Sequence, residues 1–128
     1  MFNLIEEVKD AATIGIGGHV RPDGDCVGST VALLLFLQKR FPEKRVDLFL
    51  EKFPDVFREL KGTEQIRTDF HTEVETYDVF FCVDCAADRL GDARKYFEQA
   101  KKTINVDHHI SNSGCGMVNF VVPTASSA

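Results

Sequence analysis

The run Val79–Val83 (VFFCV) is five apolar residues in a row. A strand with one face in water alternates apolar and polar side chains, so an unbroken run is typical of a strand covered on both faces. Thr13 to Gly18 (TIGIGG) is a second short apolar run, and Thr103 to Val106 reads as a third. Buried strands of this kind belong to parallel sheets, whose crossovers carry helices onto both faces.

The segments between the runs supply those helices. Phe2, Leu4, Ile5, Val8, Ala11 and Ala12 share one helical face, which predicts an amphipathic helix over 2–12. Cys26 to Phe41 is a long apolar-rich helix that ends on Lys39 and Arg40, with Pro42 just beyond as a stop signal. The spacing predicts further helices over 54–60 and 87–100. Further strands are expected over 45–50, near 65–67 and over 118–122. Residues 19–25 and 107–117 read as loops punctuated by Pro22, Gly24, Gly114 and Gly116. The order indicates one α/β domain with a mostly parallel, Rossmann-like sheet and helices on both faces.

With 128 residues the chain has room for one domain. A hydrophobic fraction of 44% and a charged fraction of 27% exclude a disordered tail or a disulfide mini-scaffold. Formal net charge is −5, and no Lys/Arg block offers a footprint for long nucleic acid. An acidic chain still handles phosphates where metal ions reverse the local charge. Glu6, Glu7, Lys9 and Asp10 interrupt the first residues, which excludes a signal peptide there. The longest apolar run, Val31 to Leu37, is far short of the ~18 residues of a membrane span. The four cysteines are too unevenly placed for a disulfide framework, so a reducing cytoplasm is the expected compartment.

One positional pattern carries the chemistry. TIGIGG runs into His19, VFFCV into Asp84, and INV into Asp107, His108 and His109. If the runs are parallel strands, these residues meet at the carboxyl edge of one sheet, where open α/β sheets place their ligands. Asp23 and Asp25 lie in the loop after the first run and join the same cleft. The set is nitrogen and oxygen without sulfur, which favours Mn²⁺, Fe²⁺, Mg²⁺ or Zn²⁺ in a water-retaining site. Its carboxylates exceed what one divalent ion needs, which points to two ions sharing a bridging carboxylate.

Taken singly, several of these residues have plain structural readings. Asp25 directly precedes a long helix and reads as an N-cap. Asp23 reads as a turn residue, and Asp84 as an ordinary strand-end carboxylate. His71 is a surface residue. Cys82-x-x-Cys85 has the spacing of a redox or zinc motif, but Cys82 lies inside a strand, so these cysteines read as structural. Gly15-x-Gly17 fails the dinucleotide fingerprint, because Val20 stands at the third glycine position.

The stretch His19-Val20-Arg21-Pro22-Asp23-Gly24-Asp25-Cys26-Val27-Gly28-Ser29 resembles the first motif of the DHH phosphoesterases, which include RecJ exonucleases and manganese-dependent pyrophosphatases. Asp84, followed by Arg89 and Gly91, is similar to the second motif, and Asp107-His108-His109 to the triplet that names the family. Ser111-Asn112 and the stretch from Asn119 to Ser127 most resemble the branch of bifunctional oligoribonucleases and pAp phosphatases. The resemblance covers nearly the whole chain.

It implies hydrolysis of short nucleotides, such as oligoribonucleotides or pAp, with two divalent ions, Mn²⁺ before Mg²⁺ or Co²⁺. His19 and Asp23 would hold one ion, Asp25 and His108 the other, and Asp84 both. Asp107 would orient the centre, His109 would face the substrate phosphate, and Arg21 and Arg89 would contact phosphates. The alternatives are a pyrophosphatase, an exopolyphosphatase, a cyclic-dinucleotide phosphodiesterase, a RecJ-like exonuclease or a catalytically incomplete metal-binding fragment. The family's fourth acidic motif has no counterpart, since the 19 residues after His109 contain no Asp or Glu. The chain is thus expected to be the amino-terminal part of a DHH domain, without the smaller substrate domain. Uncovered apolar surface is expected to leave it either associating as a homo-oligomer or with an open sheet edge. The expected partners are small phosphorylated nucleotides or short RNA, not long duplexes or a membrane.

Overall fold

The computed structural model describes residues 3–108 and 114–121. Six strands make one all-parallel sheet: β1 (Thr13–Gly17), β2 (Arg45–Phe49), β3 (Ile66–Arg67), β4 (Val79–Val83), β5 (Lys102–Asp107) and β6 (Val118–Val121). The helices are α1 (Leu4–Val8), α2 (Gly24–Arg40) and α3 (Arg94–Gln99). The strand order is β3-β2-β1-β4-β5-β6, the doubly wound order in which the chain first works outward on one side of β1 and then on the other.

Side-chain alternation divides β4 between two cores. Val79, Phe81 and Val83 pack with α1 and α2, while Phe80 and Cys82 pack on the α3 side. Strand β1 does the same with smaller residues. Ile14 and Ile16 face α2, and Gly15 leaves room for the Phe80 ring, which a Cβ at position 15 would meet at 2.3 Å. The α3 side is aromatic: Phe49, Tyr77 and Phe80 lie within 5.7–6.2 Å of one another, centroid to centroid. Such rings cover much area and prefer offset and edge-on contacts.

Three elements depart from expectation. The helix predicted over 2–12 is five residues long. Asn3 caps it, its side chain accepting from the Glu6 amide at 3.2 Å. It stops because the Asp78 carboxylate accepts from the amides of Ala12 and Thr13, drawing the chain into β1. The segment 54–60 is a 3₁₀ turn, Asp55–Glu59. The helix predicted over 87–100 is two 3₁₀ turns followed by the short α3. Gly91 breaks it at φ +63°, where the loop after β1 docks: the Val20 amide donates to the Arg89 carbonyl at 2.8 Å, and Val20 packs against Gly91. This tertiary contact overrides the helical periodicity.

Candidate metal centre

Register sets the frame of the site. Gly17 pairs with Cys82 across β1 and β4, and Val83 pairs with Val106 across β4 and β5. Continued past the strand ends, this alignment puts His19, Asp84 and Asp107 at one level. The place is the carboxyl edge at β1 and β4, where the strand order reverses and open α/β sheets hold ligands.

Asp84 stands at the centre. Its backbone is left-handed, φ +65°, a conformation that only a small minority of non-glycine residues adopt. Two contacts hold that turn: the Asp84 amide donates to the Val106 carbonyl at 2.8 Å, and the buried Asn105 amide donates to the carbonyls of Cys82 (3.0 Å) and Cys85 (2.9 Å). The carboxylate, 2% exposed, is thereby aimed across the strand ends. Its Oδ2 lies 3.2 Å from His19 Nε2, and its Oδ1 lies 2.8 Å from His108 Nε2.

Each histidine adds further partners. His19 Nδ1 is 2.8 Å from the Val20 carbonyl, an acceptor only, so Nδ1 carries the hydrogen and Nε2 faces the carboxylates. This backbone partner fixes ring and tautomer, as is common for ligating histidines. Asp23 Oδ1 is 3.6 Å from His19 Nε2. His108 Nε2 is 3.0 Å from Asp25 Oδ2, and Asp107 Oδ1 accepts from the His108 amide at 2.8 Å. Asp25 also accepts from the Ser29 hydroxyl at 3.1 Å.

The first helical turn of α2 sorts the two loop aspartates. Asp23, not Asp25, is the N-cap: its side chain accepts from the Cys26 amide at 2.9 Å. The helix therefore starts two residues earlier than predicted, and Asp25 sits inside its first turn, free of capping duty. A carboxylate is favourable there against the helix dipole.

The electrostatics are those of a centre short of positive charge. Burial raises the Asp25 carboxyl, and contact with Asp84 raises it further. Burial also acts to raise Asp84, but hydrogen bonds from His19, Asp25 and His108 outweigh it and hold the group below the usual carboxylate range. Asp84 in turn pushes His19 up to about 11, with the Cys26 thiol adding to the effect. Two carboxylates in contact, kept together by protonated imidazole, form an arrangement that a divalent cation would relieve.

The donor atoms fall into two groups that share Asp84: Asp25, Asp84 and His108, and His19, Cys26 and Asp84. In each, the ligand atoms lie within 4.8 Å of one another. The second group places a sulfur atom, Cys26 Sγ, beside the expected nitrogen and oxygen donors. Cys26 is fully buried at the N-terminus of α2, and its Sγ packs against Gly18 beside His19.

The remaining predicted residues divide. Asp107 is buried one residue from His108. Arg21 and Arg89 are exposed, and among the described residues neither guanidinium makes a hydrogen bond or ion pair. They are joined through backbone instead, by the Val20 amide on Arg89 and the Arg21 amide on Glu51. His109 lies outside the described residues. Cys82 and Cys85, with Sγ atoms 3.6 Å apart, pack on the α3 side as structural cysteines do. Beside Asp25 a groove of about 640 Å³ runs along α2, with Phe36 and Phe120 half-exposed on it. No helix among the described residues is long and apolar enough to cross a membrane.

Comparison with known proteins places the chain among relatives of known type. The chain is 28% identical to the bifunctional oligoribonuclease and PAP phosphatase NrnA of Bacillus subtilis, over 97% of this chain and 38% of that protein. Its fold matches the crystal structure of an exopolyphosphatase-related protein from Bacteroides fragilis with a TM-score of 0.82. That match has 27% identity over 95% of this chain and 38% of the other. The chain thus spans about two-fifths of the length of these relatives. Residues 13–128 match the N-terminal domain of the DHH family, and the chain belongs to that family.

Proposed function

We propose that this chain is the amino-terminal part of a metal-dependent phosphoesterase that hydrolyses short nucleotide substrates, oligoribonucleotides and pAp among them. The observation that carries the reading is the double engagement of Asp84. One buried carboxylate turns one oxygen to His19 and the other to His108, each with a further aspartate alongside. That is the donor set of two cation sites with a common ligand.

His19 and Asp23 would hold one ion, Asp25 and His108 the other, and Asp84 both. Two divalent ions held there, Mn²⁺ before Mg²⁺ or Co²⁺, would supply water activation near neutral pH and positive charge for the attacking and leaving oxygens. The chain's own groups do the positioning. The Val20 carbonyl keeps the hydrogen on His19 Nδ1 and leaves Nε2 for the cation. Asp107 fixes the backbone that carries His108, and Ser29 steadies Asp25. Asn105 sets the Asp84 turn. His109 is assigned to the substrate phosphate, and the exposed side chains of Arg21 and Arg89 to binding its charge. The remaining ligands and a smaller domain for the nucleotide end belong to the rest of the protein, in keeping with the two-fifths coverage of the relatives.

The test is hydrolysis of short RNA, pAp and inorganic polyphosphate by the full-length protein with Mn²⁺, beside its Asp84→Ala variant. The reading expects turnover of short RNA or pAp that Asp84→Ala abolishes. Preference for polyphosphate would move the substrate toward that of the exopolyphosphatase-related neighbour. Undiminished activity in Asp84→Ala would overturn the mechanism.

A further inference from the structure

The His19 side of the centre contains a donor that the sequence pattern hides. Cys26 is fully buried, yet its sulfur belongs to the same cluster as the ring of His19 and the carboxylate of Asp84, both more than nine-tenths buried themselves. Its position is fixed from two directions. The Asp23 cap on the Cys26 amide anchors the first turn of α2. Below it, Gly18 leaves the room the sulfur occupies: a Cβ at position 18 would stand 2.4 Å from Sγ. The sulfur lies within 4.8 Å of the ring nitrogen of His19 and of the Asp84 carboxylate, so it stands beside the ring whose Nε2 faces Asp84.

Nitrogen, oxygen and sulfur together are a different donor set from nitrogen and oxygen alone. Carboxylate and imidazole serve Mn²⁺ and Mg²⁺, whereas thiolate selects the more thiophilic ions, Zn²⁺ among them.

We propose that Cys26 Sγ is a further protein donor, beside His19 Nε2, Asp84 Oδ2 and the more distant Asp23, to a thiophilic divalent cation, so that this half of the centre takes Zn²⁺ in preference to Mn²⁺. As the metal–sulfur bond forms, the thiol proton leaves to solvent, and no electrons change hands. The proposal rests on the two-ion reading above and adds to it a route by which Zn²⁺ displaces the working ion.

The experiment is a Co²⁺ titration of the metal-free full-length protein, read by absorbance. Coordination gives visible ligand-field bands whatever the donors, and a near-ultraviolet charge-transfer band only where sulfur is bound. Both are expected in the unaltered protein and in Cys115→Ser. In Cys26→Ala and Cys26→Ser the charge-transfer band is expected to vanish while the ligand-field bands remain. Competition between Zn²⁺ and Mn²⁺ should shift in the same variants. Zn²⁺ affinity should fall by at least the roughly 10–100-fold that losing even an outer partner costs a metal site, with Mn²⁺ affinity little changed. X-ray absorption of the Zn²⁺-loaded unaltered protein needs no variant and should show one sulfur at about 2.3 Å. Ligand-field bands without a charge-transfer band, a band that survives loss of Cys26, or zinc with no sulfur neighbour overturns the proposal and leaves the two-ion reading standing. No Co²⁺ binding of any kind overturns both.

Discussion

Two buried aspartates of one sheet, Asp47 on β2 and Asp84 after β4, show how neighbours decide what a carboxylate is for. Asp47, 5% exposed, is met by cations and a donor: Arg45 Nε at 2.9 Å, Arg67 Nη2 at 3.1 Å and the Tyr77 hydroxyl at 2.6 Å. Its charge is compensated, and the cluster ties the edge strand β3 and the segment leading to β4 onto the sheet. Asp84 is equally buried but is met by two imidazoles and by a second carboxylate, Asp25. A buried anion beside guanidinium is a finished structural element. Asp84 shares its place with a second carboxylate as well as with imidazole, an arrangement to which the proposed cations would add positive charge.

The largest effect should come from Asp84→Asn. Activity of the full-length protein should fall by more than the roughly 10²–10³-fold that loss of one preorganised electrostatic group costs an enzyme. The metal-free fold should lose less stability than in Asp47→Asn. A denaturant titration that ranks the two the other way would make Asp84 a structural ion-pair partner and dissolve the comparison. Next comes Asp47→Asn itself, expected to cost about 2–3 kcal/mol while leaving metal affinity alone. That is less than breaking a fully buried pair, because both guanidiniums reach water.

Acidity separates the two clusters further. In the metal-free protein, contact with Asp84 lets His19 keep its proton up to about 11, well above the 6.5 of an ordinary imidazole. The folded state then holds a proton that the unfolded chain releases. This contribution to stability is complete below the unfolded value and is lost as pH rises toward 11. A cation must displace that proton, so Mn²⁺ affinity should move the opposite way, tightening with pH by up to about tenfold per unit for each proton released. Calorimetry in buffers of different ionisation enthalpy counts the protons. A pH-independent affinity would remove His19 from the ligand set. The smallest effects are a matched pair. Tyr77→Phe should cost about 1 kcal/mol of stability and nothing in metal binding. Ser29→Ala should weaken metal binding slightly and leave the melting temperature in place.

What could be read from the sequence follows from which physics is local. VFFCV and TIGIGG announce buried strands because burial on both faces leaves no polar position. The residues after them are placed by topology alone, which is why His19, Asp84 and Asp107 could be brought to one edge in advance. The helix expected over 87–100 failed because Gly91 answers to Val20, a residue far away in the chain. Asp23 and Asp25 both have spacings that fit a helix start, and only the folded turn shows that Asp23 holds the cap. Asn105 was passed over as a strand residue, although a polar side chain inside an apolar run was its signal. Cys26 was invisible as a donor because nothing in the order of residues says that Gly18 leaves its sulfur room beside His19.

The strand order has a consequence in time as well as in space. His19 and Asp84 are 65 residues apart in the chain, and Asp84 and His108 are 24 apart. They are brought together only by parallel pairing across the switch point. Long-range parallel pairing is slow to form, because closing the loop precedes any return from the contacts. On the proposed reading a cation would therefore meet a finished site rather than scattered ligands in the unfolded chain. It should leave the folding rate almost unchanged and slow unfolding instead, the kinetic signature of an interaction absent from the transition state.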